Sequence, residues 1–173
     1  MGDFKRCTDI VLSKTIEGGF VNDPNDNGGA TNHGITIGTL STWRGKRCSV
    51  QDVQNLTVDE ALRIYRAMYW QPVAGDDLPT GLDLIVFDCA VNQGIGRGTK
   101  ALQKAVGVAV DGHVGPRTVA AAKACNVLQA ISSVRDYRLA KYMEADDWPR
   151  YKNGWQNRLK TIYETSLKWV SGK

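Results

Sequence analysis

The stretch GLDLIVFDCAVNQG, residues 81–94, is apolar on nearly every side of a helical wheel, interrupted only by Asp83, Asp88, Asn92 and Gln93. A helix of that kind cannot lie on a surface, because it has no polar face to turn toward water. It has to be wrapped, and the flanking sequence supplies helices to wrap it. Phe4, Cys7, Ile10 and Val11 fall near helical spacing and lead to Glu17 and the pair Gly18-Gly19, which suits the end of a helix. Thr57 and Glu60 form a capping-box pattern ahead of a stripe of Val58, Ala61, Leu62, Tyr65, Met68 and Tyr69. Further helices are expected over about 99–106, after the Gly115-Pro116 start, over about 127–144, and over 155–170. Alternating apolar strands are nearly absent. The fold class is therefore mainly α, with at most a small β-hairpin near residues 20–37.

At 173 residues the chain fits one domain, or one domain with a small appendage. Its N-terminal stretch mixes charges into the apolar residues and reads as neither signal peptide nor anchor, so no stable membrane insertion is expected. The formal charge of +4 and the last twenty-four residues, with six Lys or Arg against one Glu, favour an acidic partner, although on charge alone a solvated helix face is the stronger explanation. Nothing in the sequence points to nucleic acid. Cys7, Cys48, Cys89 and Cys125 lie far apart, and with only His33 and His113 beside them no metal-ligand spacing emerges. They read as free, mostly buried thiols; a Cys–His nucleophilic pair would have to meet in space rather than in sequence.

The run TIEGGFVNDPNDNGGATNHGIT, residues 15–36, is too rich in Gly, Asn, Asp and Pro to be helical. It begins with one glutamate at an expected helix end. There the negative pole of the helix dipole disfavours the ionised form, and an apolar wall would raise the pKa further. A carboxyl that keeps its proton near neutrality is what a glycosidic oxygen needs before it can leave, and a second carboxylate serves the opposite side of the bond. Asp26 is the candidate for that second role, with Asp23 as the alternative, and the Thr31 hydroxyl can position a water. A calcium loop is the competing reading: Asp23, Asn25, Asn27 and Gly28 fit its first positions, but Gly34 stands where a bidentate Glu is required. An ordinary solvated Glu17 is the plainest alternative.

The run EGGFVNDPNDNGGATNHGIT resembles the signature of glycoside hydrolase family 108, the N-acetylmuramidases found among phage endolysins and related bacterial proteins. YRAMYWQPV (65–73) is similar to that family's Tyr-Trp segment, and LPTGLDLIVFDCAVNQG to its buried helix. ALQKAVGVAVDGHVGPRTVAA and NGWQNRL resemble the accompanying predicted peptidoglycan-binding segment. The resemblance implies a lysozyme-like helical fold, with residues 1–96 as the muramidase segment and 97–173 as the wall-binding segment or as part of one compact unit. Glu17 matches the family's catalytic glutamate. Asp26 and Thr31 follow as catalytic partners; phage-type lysozymes leave one more residue before their Thr, which keeps Thr36 open as an alternative. Asn92 stands at a family motif and is a candidate to hold a sugar group, with a helix cap as the other reading. Tyr69 and Trp70 are candidate stacking surfaces, only one of which is expected to face a cleft, and His33 completes the substrate-binding set. Asp88 reads as a carboxylate bonded to backbone or Arg inside the core.

The expected activity is hydrolysis of the β-1,4 bond between N-acetylmuramic acid and N-acetylglucosamine in bacterial peptidoglycan, with no metal and no cofactor. The resemblance further implies a monomeric bacteriophage endolysin, made in the host cytoplasm and reaching the wall in the periplasm through a holin-type pore for host lysis, with an antimicrobial action. The competing readings are a lytic transglycosylase and a non-catalytic wall-binding or secretion-associated protein.

Overall fold

The computed structural model describes residues 1–13, 19–22 and 29–172. The chain divides into two compact units, Thr8–Ala67 and Met1–Cys7 with Met68–Lys173. The boundary expected at 96/97 falls inside the second, larger unit.

In the smaller unit the chain leaves helix α1 (Phe4–Val11) through a turn at Leu12 and Ser13, where an unbroken helix to Glu17 was expected. Strands β1 (Thr31–Asn32) and β2 (Ile35–Thr36) form an antiparallel hairpin, extended by one bridge between Val21 and Thr31. Two short helices follow that periodicity alone did not reveal, α2 (Ile37–Arg44) and α3 (Val50–Gln54). Both are marked by their caps. The Thr36 hydroxyl accepts from the Thr39 N–H at 3.2 Å, and Ser49 and Asp52 satisfy each other's backbone N–H groups as a capping box. In helix α4 (Val58–Tyr65) only half of the expected box forms. Thr57 caps the Glu60 N–H at 3.2 Å, while the Glu60 carboxylate is taken by Arg44 at 3.0 and 2.7 Å. Asn32, buried in the hairpin, donates to the Val53 and Gln54 carbonyls at 3.0 and 3.1 Å, giving partners to the free end of α3.

Past α4 the chain tightens and widens by turns, through one turn of π-helix (Arg66–Trp70) and two short 3-10 segments (Gln71–Val73 and Gly75–Asp77). In the larger unit that follows, α5 (Leu82–Gln93) is the central helix, and its residues 82–90 are all buried. Against it pack α6 (Ile95–Ala105), α8 (Val127–Met143) and α9 (Trp148–Val170), and α7 (Pro116–Ala124) packs on α6. Helix α6 begins at Ile95 and α9 at Trp148, each earlier than the apolar pattern suggested, since glycines and a proline occupy their first turns. Gly98 brings α6 against α5: a Cβ there would lie 2.9 Å from that of Ala90. The loop DGHVGP is held from beneath by buried Gln103, which donates to Asp111 at 2.6 Å and to the His113 carbonyl at 2.9 Å and accepts from Gly112 at 2.9 Å. The architecture is mainly α and lysozyme-like.

Cys7, Cys48 and Cys89 are buried free thiols, and Cys125 is half-buried. Burial pushes the Cys89 thiol up to about 11, which makes it a packing group rather than a nucleophile. Among the described residues no helix is long and apolar enough to cross a membrane.

Candidate active site

Glu17, Asp26 and the alternative Asp23 lie outside the described residues. The structure describes the hairpin that follows them in sequence. Its two-residue turn, His33-Gly34, has φ of 50° and 72°, the left-handed pair that the right-handed twist of two strands requires. The His33 carbonyl accepts the Tyr65 hydroxyl at 2.8 Å, which ties the turn to α4 within the smaller unit. The His33 ring is half-buried at the hairpin tip.

Thr31 exchanges both backbone hydrogen bonds with Val21, each at 2.8 Å. Its cross-strand pairing with Thr36 is therefore the non-hydrogen-bonded kind, in which facing side chains come closest. The two threonines considered for one role thus stand side by side on one face of the hairpin, with different duties. Thr36 is occupied at the start of α2, accepting from the Thr39 N–H and sharing a hydrogen bond with the Thr39 hydroxyl at 3.1 Å. Thr31 donates its proton to the Gly29 carbonyl at 3.2 Å and keeps its lone pairs for an incoming donor such as water.

In the larger unit, Trp70 is fully buried. Its ring meets Phe4 and Phe87 edge-on at 5.4 and 5.3 Å, and its indole N–H donates to Asp76 at 3.0 Å. A Cβ on Gly75 would lie 2.3 Å from the ring, so backbone covers it as well. Trp70 has no face to offer a sugar, and the stacking role expected for it is corrected to a core role. Tyr69, half-buried, is the member of the pair with exposed surface.

Asn92 is not the cap of α5, which ends at Gly94 with φ of 91°. Instead its side-chain carbonyl accepts the Tyr142 hydroxyl in a short hydrogen bond. That leaves the Asn92 amide N–H₂ as a donor pointing away from the occupied oxygen. Tyr142 also stacks on Trp155 at 4.9 Å, and Trp155 on Tyr151 at 5.7 Å, with Trp148 tilted at 6.3 Å from Trp155. Burial pushes the Tyr142 hydroxyl above its usual range, against the opposing pull of Arg138, so it remains a proton donor to Asn92. Behind this group lies an ionic knot. The Asp88 carboxylate accepts from Arg138 at 2.6 Å and from Arg158 at 2.7 and 3.1 Å, and both Asp88 and Arg138 are fully buried. Burial alone would raise the Asp88 carboxyl; Arg158 and Arg138 together overcome that and hold it below the usual range. Asp88 is thus the core ion-pair residue that its place on an apolar helix implied.

A chain of fixed groups therefore runs from the knot through Tyr142 to Asn92 at the end of α5. Tyr142, Trp155 and the two arginines were not singled out together by sequence, because they stand about fifty to seventy residues from their partners on α5. The one local signal was the aromatic spacing around residues 142–155. Among the described residues, no three His, Cys, Asp or Glu side chains come together as a metal site.

The chain thus combines a helical unit built on a buried central helix with, in its other unit, a short hairpin that follows a Glu-Gly-Gly motif in sequence. The model of one family, glycosyl hydrolase 108, matches residues 10–94. The solved structure of SagA from Brucella abortus is similar throughout, with 40% sequence identity, 96% of this chain and 94% of that chain covered, and a TM-score of 0.90. The chain belongs to glycosyl hydrolase family 108. It is a glycoside hydrolase of the N-acetylmuramidase type, whose substrate class is peptidoglycan. No curated protein matches the sequence.

Proposed function

We propose that the protein hydrolyses the β-1,4 bond between N-acetylmuramic acid and N-acetylglucosamine, with Glu17 as the general acid. The observation that carries this reading is the family match, whose span of residues 10–94 includes Glu17, Asp26, Thr31 and Asn92. Glu17 delivers a proton to the leaving oxygen. Asp26 then activates a water on the opposite face or stabilises the oxocarbenium-like transition state. Thr31, whose hydroxyl oxygen is free to accept, orients that water, and the Asn92 amide donates to a sugar acetamido or hydroxyl oxygen. In this proposal the protein serves as an endolysin that reaches the wall through a holin-type pore; the support for that role is the resemblance of its loop to phage enzymes.

The test is mass spectrometry of borohydride-reduced products released from purified peptidoglycan. Wild type should yield reduced N-acetylmuramic acid ends, and Glu17→Gln should lower the rate by at least about a hundredfold, the usual contribution of a general acid. Anhydro ends would make the protein a transglycosylase instead. Equal products from the two proteins would remove Glu17 from the chemistry.

A further inference from the structure

The ionic knot fixes the direction of the hydrogen bonds that leave it. One terminal nitrogen of Arg138 donates to Asp88 at 2.6 Å and also to the Tyr142 hydroxyl oxygen at 3.4 Å. A guanidinium only donates, so Tyr142 receives a proton from Arg138 and has to send its own elsewhere. The acceptor it finds is the Asn92 side-chain carbonyl, in a short hydrogen bond. The opposite orientation of Asn92 would turn its N–H₂ toward the Tyr142 oxygen. Two donors would then converge on one hydroxyl, and the proton of a side chain only 3% exposed would be left without an acceptor. The run from Asp88 through Arg138 and Tyr142 to Asn92 therefore has a single polarity, and it ends in an amide whose N–H₂ is turned away from the knot.

The neighbouring amide is already engaged at both ends. Gln93 accepts the Cys89 thiol at 3.5 Å and donates to the Arg138 carbonyl at 3.1 Å. Asn92 differs: it is half-buried, and its N–H₂ has no acceptor among the described residues. Its side chain lines a recess of about 80 Å³ beside Trp155 and Ala145. A donor held in one orientation needs no further ordering when an acceptor arrives, which is the advantage of preorganisation. An asparagine free to flip would meet a sugar carbonyl with its own carbonyl part of the time and bind it more weakly.

Resting on the muramidase reading, we propose that Tyr142 is a positioning residue for the glycan: with its oxygen claimed by Arg138, it locks the Asn92 amide with N–H₂ toward an acceptor oxygen of the bound sugar. In this role Tyr142 acts through Asn92. The contact also crosses the segment boundary drawn from sequence at 96/97, since α8 decides which end of its amide a residue of α5 presents.

The experiment is a double-mutant cycle on the full chain, read as binding of soluble, peptide-free glycan strands by titration calorimetry. Every protein in the cycle carries Glu17→Gln so that the strands stay intact, and a melting transition above the assay temperature checks that each is folded. Asn92→Ala should weaken binding about tenfold and Tyr142→Phe about fivefold, the scale of one hydrogen bond and of its misorientation. Adding Tyr142→Phe to Asn92→Ala should change nothing further, because the group it positions is gone. Phe keeps the stacking on Trp155, and a merely structural Tyr142 would cost the same in both backgrounds. Asn92→Asp is the second probe: its carboxylate still accepts the Tyr142 proton but has no N–H to give, so binding should fall as far as for Asn92→Ala. Unaltered affinity of any of the three single variants overturns the proposal, as do equal losses from Tyr142→Phe in the two backgrounds. The expected cycle without release of reduced muramic ends by wild type sinks the muramidase reading and leaves Tyr142 positioning a glycan contact, whereas reduced muramic ends with additive losses do the reverse.

Discussion

Among the described residues each compact unit carries a cluster in which one side chain bridges two oppositely charged partners, and the two are opposite in both stoichiometry and burial. In the smaller unit one arginine, Arg44, serves two acids: Glu60 bidentately and Asp52 at 3.1 Å, with side-chain exposures of 24%, 16% and 37%. In the larger unit one acid, Asp88, serves two arginines, with exposures of 0% for Asp88 and Arg138 and 10% for Arg158. Water can replace any lost partner in the first cluster. It cannot in the second, where the two guanidinium groups leave a net positive charge inside the protein. The difference teaches that the same residue types hold a surface joint in one place and fix a unique core in the other.

The sharpest way to break the comparison is Asp88→Asn. The amide keeps the shape but leaves two guanidinium groups, one of them fully buried, without a counter-charge. Loss of one partner from a buried ion cluster costs about 3–5 kcal/mol. A urea midpoint shifted by that amount at pH 7 is the expected result. A change below about 1 kcal/mol would mean that the knot is as solvent-compensated as the Arg44 cluster. Within the knot, the Arg138 Nε has no hydrogen-bond partner among the described residues, so the cluster is already incompletely satisfied. Adding Arg138→Met to Asp88→Asn should therefore recover part of the loss, because an apolar side chain of similar length removes the stranded charge.

Acid should sharpen the same contrast. The folded-state value of Asp88 is held below its ordinary 3.8, so its contribution is fully present above that value and lost as the pH falls through the lower native one. Glu60 is likewise lowered, chiefly by its hydrogen bonds from Arg44. Between neutral pH and about pH 3, the melting temperature of wild type should fall faster than that of Asp88→Asn, and the gap between the two should narrow. Parallel curves would show that Asp88 takes up no proton as the protein unfolds in acid.

The unequal clusters also show how far the sequence could be read. Asp88 stands out as a polar residue on an otherwise apolar helix, and its need for a partner follows from burial alone. Which partners it takes does not follow, because Arg138 and Arg158 lie on helices whose order around α5 is decided by packing. The same holds for Asn92: its place at the end of α5 was legible, and the Tyr142 hydroxyl that claims it was not. Trp70 was read as half of an aromatic pair with one exposed member; the close approach of Gly75 decides that it is the inner one. Helices α2 and α3 escaped because they are short and weakly periodic. Their caps at Thr36 and at Ser49-Asp52 were the usable signals. Conversely, the capping box written into Thr57 and Glu60 is half diverted, since Arg44 competes for the Glu60 carboxylate and forms two charge-assisted bonds where the backbone N–H offers one. What the sequence implies for Glu17, Asp23 and Asp26 falls outside the described residues and stands as a proposal.

The smallest expected effect belongs to the surface cluster. Arg44→Ala removes three hydrogen bonds to two carboxylates, yet all three side chains reach solvent and rehydrate. The cost should be about 1 kcal/mol at low salt, in line with exposed pairs of good geometry. It should fall to a few tenths in roughly 1 M NaCl, where the screening length is about 3 Å. Arg44→Lys should recover only part of it, because a single ammonium cannot reproduce the two parallel bonds to Glu60. Denaturation at the two salt concentrations reads this directly. A salt-independent loss would mean that Arg44 acts through packing of its aliphatic stem, and the contrast with the buried knot would then be one of shape rather than of charge.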